Sequence, residues 1–129
     1  MNRMLVVVED DPLARDSAVE TLTELGFPIA DFSNADAALD FLDEHASEVF
    51  VLFTDIRMPG SINGIGLAAR ARQRWPWIKI LIASGALESA DLPLPRDVKL
   101  VAKPWLAADV LDTVYAWADG RSPPRAASQ

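Results

Sequence analysis

Met4-Leu5-Val6-Val7-Val8-Glu9-Asp10-Asp11-Pro12 carries the reading of the fold. Five apolar side chains in succession, three of them valine, fit a short strand buried on both faces. The run stops at Glu9, too early for a signal-peptide core or a membrane span, so a cytoplasmic chain with no membrane partner is the expectation. Asp11 then stands as an N-cap and Pro12 at the first helical position, where its missing N–H costs nothing. A buried strand, an acidic turn and a helix follow one another within a few residues.

Outward from this stretch the same order recurs. Val49 to Phe53, Lys79 to Ala83 and Val98 to Ala102 are further short runs rich in Val, Ile, Leu and Phe. Pro28 to Phe32 is a weaker fifth, suited to the sheet edge where proline is tolerated. Helical patterns lie between them. The first buries Ala14, Ala18, Leu22 and Leu25 and ends at Gly26; a second follows Asn34, with Leu39 and Leu42 inward. A third follows Asn63, with Leu67, Ala68, Ala71 and Trp75 on one face, and stops at Pro76. The last runs from about Leu106 to Ala118, with Val110, Val114 and Trp117 as its stripe. Continuous apolar strands alternating with helices imply a parallel sheet covered on both faces and joined by right-handed crossovers. The class is therefore doubly wound α/β. Pro93 and Pro95 leave room for one or two helical turns at most between the last two strands, since an interior proline costs ~3 kcal/mol, so a fourth helix there is expected to be short or irregular.

At 129 residues the chain suits one domain, placed at residues 1–118, with 119–129 as a flexible tail of prolines, arginines and small residues and no output domain after it. Nineteen acidic against twelve basic side chains give −7, which argues against binding nucleic acid through its phosphates. There is no cysteine and one histidine, His45, so a zinc site is not expected. His45 reads as a surface residue.

In open α/β sheets ligands bind at the carboxyl ends of the strands. Here the first strand ends in Glu9-Asp10-Asp11, the third in Asp55, the fourth in Ser84-Gly85 and the fifth in Lys103-Pro104. Acids brought together from separate strands repel one another, and a hard divalent cation offsets that repulsion. Oxygen ligands and an incomplete protein shell favour Mg²⁺. Asp11 is better explained as a helix cap than as a ligand.

Val-Val-Glu-Asp-Asp-Pro, Phe-Thr-Asp-Ile-Arg-Met-Pro-Gly, Ala-Ser-Gly and Ala-Lys-Pro-Trp, in this order and spacing, resemble the receiver domain of bacterial two-component systems from Met4 to about Trp117. The resemblance implies a flavodoxin-like five-stranded sheet of order 2-1-3-4-5. It implies phosphorylation of Asp55 by a histidine kinase or phosphotransfer protein, and output through contact with a downstream protein target. In that family pattern Mg²⁺ is held by Asp10, Asp55 and the backbone carbonyl of Arg57, with Glu9 acting through a bound water. Lys103 and Ser84 meet phosphoryl oxygens, and the Lys103–Pro104 bond is cis. Such a protein slowly loses its own phosphoryl group and is not a turnover enzyme. The chemistry is consistent with the physics of phosphoryl transfer, which needs a nucleophile, a metal to bridge charge and a cation on the equatorial oxygens.

Two departures from that pattern stand out. The segment Asp55 to Gly64 is one residue longer than in common receivers, with the insertion placed at Ser61-Ile62-Asn63. Leu100 stands where many receivers carry an aromatic that rotates inward, so signalling is expected to pass from Ser84 into the segment from Gly85 to Pro95. Trp105 should lie near the site, and Trp75 and Trp117 should be partial core or interface. Rival readings fit less well. A haloacid-dehalogenase-type enzyme would need a second acid where Arg57 stands, and a flavodoxin would need a phosphate-binding loop where this chain is acidic. The alternative of the same class is a receiver-like binding module acting without phosphorylation, whose usual sign is loss of the acceptor, the metal acids or the lysine. None of these is missing.

Overall fold

The computed structural model describes residues 3–58, 60–85 and 94–121. Its elements run β1 (Met4–Val8), α1 (Pro12–Thr23), β2 (Ile29–Phe32), α2 (Ala35–His45), a 3-10 turn (Ala46–Glu48), β3 (Val49–Asp55), α3 (Gly64–Arg74), β4 (Lys79–Ser84), β5 (Val98–Ala102) and α4 (Ala107–Ala118). The strands form one parallel sheet of order β2-β1-β3-β4-β5, so the doubly wound arrangement is confirmed. β2 lies at an edge, and Pro28 just before it has no N–H to give but accepts from Leu5 N–H at 2.8 Å. The short or irregular helix expected between β4 and β5, and the signalling segment placed there, fall mostly on residues 86–93, outside the described residues. So does the tail from residue 122 onward.

Two strands reach further than their apolar runs. β3 continues through Thr54 to Asp55 and β4 to Ser84, because parallel pairing is kept to the edge, with Asp55 opposite Ala83 and Ser84 opposite Ala102. Hydrophobicity alone marks where a strand is buried, while hydrogen bonding sets where it ends. The polar residues are thereby held on the ladder itself.

The period-two alternation of strands divides the interior into two layers. Val6, Val8, Leu52, Ile80 and Ile82 pack with Ala38, Leu42, Leu67 and Ala71 of α2 and α3. Leu5, Val7, Val51, Phe53, Leu81, Ala83 and Val101 pack with Ala18 and Leu22 of α1 and Val110 and Val114 of α4. Each fully buried Leu or Val contributes about 1.5–3 kcal/mol relative to exposure, which is the main force holding helices on the sheet. Trp75 is buried in the first layer, and Trp117 is half-buried against the second.

The caps are asymmetric. Asn34 accepts from Ala37 N–H at 2.8 Å and Asn63 from Gly66 N–H at 3.0 Å, each satisfying an otherwise unpaired donor of its helix. Asp11 occupies the N-cap of α1 with extended backbone, but its side chain makes no capping bond. Its own N–H instead donates to Glu9 Oε2 at 3.1 Å, so the capping role expected of its carboxylate is not realised. His45 lies at the surface as expected, with its side chain 42% exposed, but it is not without partners. Its ring stacks on Phe41 at 4.5 Å and Nδ1 lies 2.8 Å from Glu48 Oε2, because the end of α2 and the 3-10 turn after it bring these side chains onto one face.

Candidate functional site

Every strong strand delivers a polar residue to the carboxyl edge of the sheet. Asp55, on the same face of β3 as Val51 and Phe53, is 6% exposed. Such a buried charge requires partners, and each carboxylate oxygen has one. Oδ1 accepts Ile56 N–H at 2.8 Å, and Oδ2 lies 2.6 Å from Lys103 Nζ. Lys103 is itself placed by its backbone, whose N–H donates to the Ser84 carbonyl at 2.8 Å. The Lys103–Pro104 bond is cis. Ser84 is buried at the end of β4.

Across the edge from β3, the turn after β1 brings Glu9 and Asp10 to Asp55. One carboxylate oxygen from each of the three lies within 4.8 Å of the others. Burial pushes the Glu9 carboxyl up to about 7, helped by the negative charge of Asp55 and a side-chain hydrogen bond with Asp10, while Asp11 N–H and Lys103 pull the other way. Arg15 Nη1 donates to the Glu9 carbonyl at 2.9 Å, and its Nε pairs with Asp31 at 3.2 Å, so the acidic turn is tied to both α1 and β2. A set of three carboxylates with no nitrogen or sulfur donor among them fits a hard divalent cation.

These residues open into a cavity of about 640 Å³ between α1 and the start of α4. Glu9, Asp55 and Lys103 line it together with Ala14, Phe53 and Trp105. Trp105 stands edge-on to Phe53 with ring centres 5.6 Å apart, so it lies near the site as expected. Arg57 is exposed in the loop that leaves β3, two residues beyond Asp55. Leu13 and Leu106, 78% and 63% exposed, sit at the starts of α1 and α4.

Three contributors escaped the sequence reading. Thr54, fully buried, donates its hydroxyl to the Asp55 carbonyl at 2.9 Å. Gly64 donates its N–H to the Ile56 carbonyl at 2.8 Å, and a Cβ there would stand 1.8 Å from the Asp55 carbonyl oxygen. Asp36, on α2, accepts from Ser61 in the β3–α3 loop through both carboxylate oxygens. A glycine following a helix-capping asparagine was a readable hint for Gly64. Nothing in the sequence pairs Asp36 with Ser61, which are 25 residues apart.

A doubly wound sheet of this order, with a buried carboxylate, a lysine and two further acids gathered at its carboxyl edge, defines the receiver class. The family model for the response regulator receiver domain matches residues 5–111. The response regulator receiver protein CpdR of Brucella abortus is 32% identical over 115 residues, covering 87% of this chain and 93% of that protein. A stretch of the sensor kinase CckA from the same organism is 27% identical over 113 residues, which is 12% of that larger protein. Among solved structures, a response regulator receiver protein from Sinorhizobium medicae superposes with a TM-score of 0.81 at 27% identity, covering 94% of this chain and 98% of that one. The chain belongs to the response regulator receiver family of two-component systems.

Proposed function

We propose that this receiver, residues 1–118 with 119–129 as a tail, takes a phosphoryl group on Asp55 from a histidine kinase or phosphotransfer protein. The observation that carries the reading is the carboxylate of Asp55, buried at a strand end, paired with Lys103 at 2.6 Å and faced by Glu9 and Asp10. In the step, a carboxylate oxygen of Asp55 bonds to phosphorus as the bond from phosphorus to the donor histidine nitrogen breaks, and that nitrogen keeps the electron pair. Lys103 then exchanges its carboxylate partner for a phosphoryl oxygen, and Ser84 supplies a hydroxyl to another. Asp10, Asp55 and the Arg57 carbonyl would hold Mg²⁺, with Glu9 joined through water; when bound, the ion neutralises charge that develops on the transferred group.

Leu13 and Leu106 are apolar and exposed, and each is the chain neighbour of a residue that lines the cavity containing Asp55, Ala14 and Ala107 respectively, which suits a protein donor docking over the site. Output is by protein contact, in the cytoplasm, without nucleic acid or a membrane as partner. No described helix is long and apolar enough to cross a membrane. The chain slowly loses its own phosphoryl group and turns over no other substrate. Acetyl phosphate with Mg²⁺ should therefore label the protein at Asp55 with an alkali-labile group, and Asp55→Asn should abolish the label. Full labelling of that variant would leave a binding module that works without phosphorylation as the better account.

A further inference from the structure

The loop of residues 57–63 leaves the acceptor strand, carries Arg57 and enters α3. It is fastened at its far end by Gly64 N–H on the Ile56 carbonyl and by the Asn63 cap. Between these ends a third fastening reaches outside the loop. Ser61 donates its N–H to Asp36 Oδ2 at 3.1 Å, and its hydroxyl donates to Asp36 Oδ1. Gly60 sits directly on the same carboxylate, at φ +120, and a Cβ there would come 2.9 Å from Oδ2. The two bonds from Ser61 hold the Asp36 carboxyl below its usual range although the side chain is exposed.

Asp36 is a firm post. It lies in the first turn of α2, where the helix terminus favours a negative charge. The neighbouring Ala35, Ala38 and Leu39 are buried in the layer shared with α3. Among the described loop residues, Gly60 and Ser61 are exposed, while Met58 and Ile62 pack against the core.

We propose that Asp36 is a positioning residue for the phosphoacceptor site: with Ser61 it fixes the β3–α3 loop so that the Arg57 carbonyl is presented to the cation. The inference rests on the phosphoacceptor reading above and adds to it a residue that touches none of the reacting atoms. The cation's affinity is set partly by how rigidly a backbone carbonyl is held, because an ion ligand free to swing must be ordered on binding.

The test uses the full chain. Mg²⁺ is titrated against intrinsic tryptophan fluorescence, and amide hydrogen exchange is followed without metal. Asp36→Ala should weaken Mg²⁺ binding about tenfold, the lower end of what orienting partners of metal ligands supply. It should speed exchange across residues 57–63 while leaving β3 and the sheet protected. Ser61→Ala should give a smaller loss, and Ser61→Thr, which keeps both donors, should restore wild-type affinity. The double variant Asp36→Ala/Ser61→Ala should be no worse than Asp36→Ala alone, since both remove one fastening. Unchanged Mg²⁺ affinity in Asp36→Ala, or additive losses in the double variant, would overturn the inference. If wild-type protein neither binds Mg²⁺ nor takes label, the phosphoacceptor reading fails, whereas normal wild-type binding with an indifferent Asp36→Ala removes the clamp alone.

Discussion

Gly64→Ala is a sensitive probe of how Asp55, the proposed acceptor, is held. A methyl group at this position would stand 1.8 Å from the Asp55 carbonyl oxygen and 2.8 Å from its carbon. Ordinary C···O contacts begin near ~3.3 Å, so α3 and the end of β3 must part by roughly 1.5 Å. That retreat breaks the 2.8 Å bond from Gly64 N–H to the Ile56 carbonyl. Overpacking costs about 1–3 kcal/mol and the lost bond about 0.5–1.5. Alanine's better helix propensity returns at most about 1 kcal/mol. The balance is a loss of about 0.5–4.5 kcal/mol, read as a lower urea midpoint at unchanged slope. Labelling should suffer more than stability, because a displacement of about 1 Å at a reacting group can cost a factor of about 100 in rate. Gly66→Ala is the internal control. There the nearest atom is Ile62 Cβ at 3.3 Å, the side chain of a loop residue, so stability should change little. If Gly64→Ala proved as stable and as readily labelled as Gly66→Ala, the close approach of α3 to the acceptor would not be what positions it.

Further outcomes are expected at Glu9, Leu13 and Arg57. Because Glu9 holds its proton up to about pH 7, a cation must displace that proton below this pH. Mg²⁺ affinity should therefore rise with pH between 6 and 8 in wild type and be flatter in Glu9→Gln, by fluorescence titration. The same raised carboxyl stabilises the metal-free protein below its unfolded value of 4.5, and this contribution is lost as pH climbs through 7. Urea midpoints from pH 5 to 8 should then fall further in wild type than in Glu9→Gln, and equal slopes would contradict the assignment. Leu13→Ser should slow phosphotransfer from a protein donor severalfold while leaving labelling by acetyl phosphate unchanged, since only the former needs the exposed apolar rim; equal slowing of both would place Leu13 in the chemistry instead. Arg57→Ala should shorten the lifetime of the acyl phosphate, measured by loss of label, if the guanidinium holds a phosphoryl oxygen or a nearby acid. A longer lifetime would count against that role.

The fold was legible because buried parallel strands write themselves as unbroken apolar runs, and Val6-Val7-Val8 or Ile80-Leu81-Ile82 admit few other readings. The residues at the carboxyl edge were legible for a related reason, each being the polar group that closes such a run. The strand order, by contrast, came from resemblance, since no local pattern says that β1 lies between β2 and β3. What escaped was contact between elements. Asp11 looks like a cap in sequence, yet its N–H turns to Glu9. Asp36 and Ser61 are unremarkable polar residues until α2 and the loop are folded side by side. His45 is at the surface as a lone histidine at a helix end suggests, but its stacking on Phe41 depends on the last turn of α2 and was not legible.

The division of the interior into two layers by residue parity bears on how such a chain can diverge. A substitution at Leu22 or Val114 is felt by the α1 and α4 side of the sheet, and one at Leu42 or Leu67 by the other, with the strands between them as a partition. Cores keep their fold as long as volume and pattern are roughly conserved, so each side can drift on its own and compensate locally. The carboxyl edge has no such latitude. There Asp55 continues one side of the sheet and Ser84 the other, and Lys103 ties them together through its side chain and its backbone. Lineages can thus rewrite most of their interior and still be recognisable from a handful of residues at one rim.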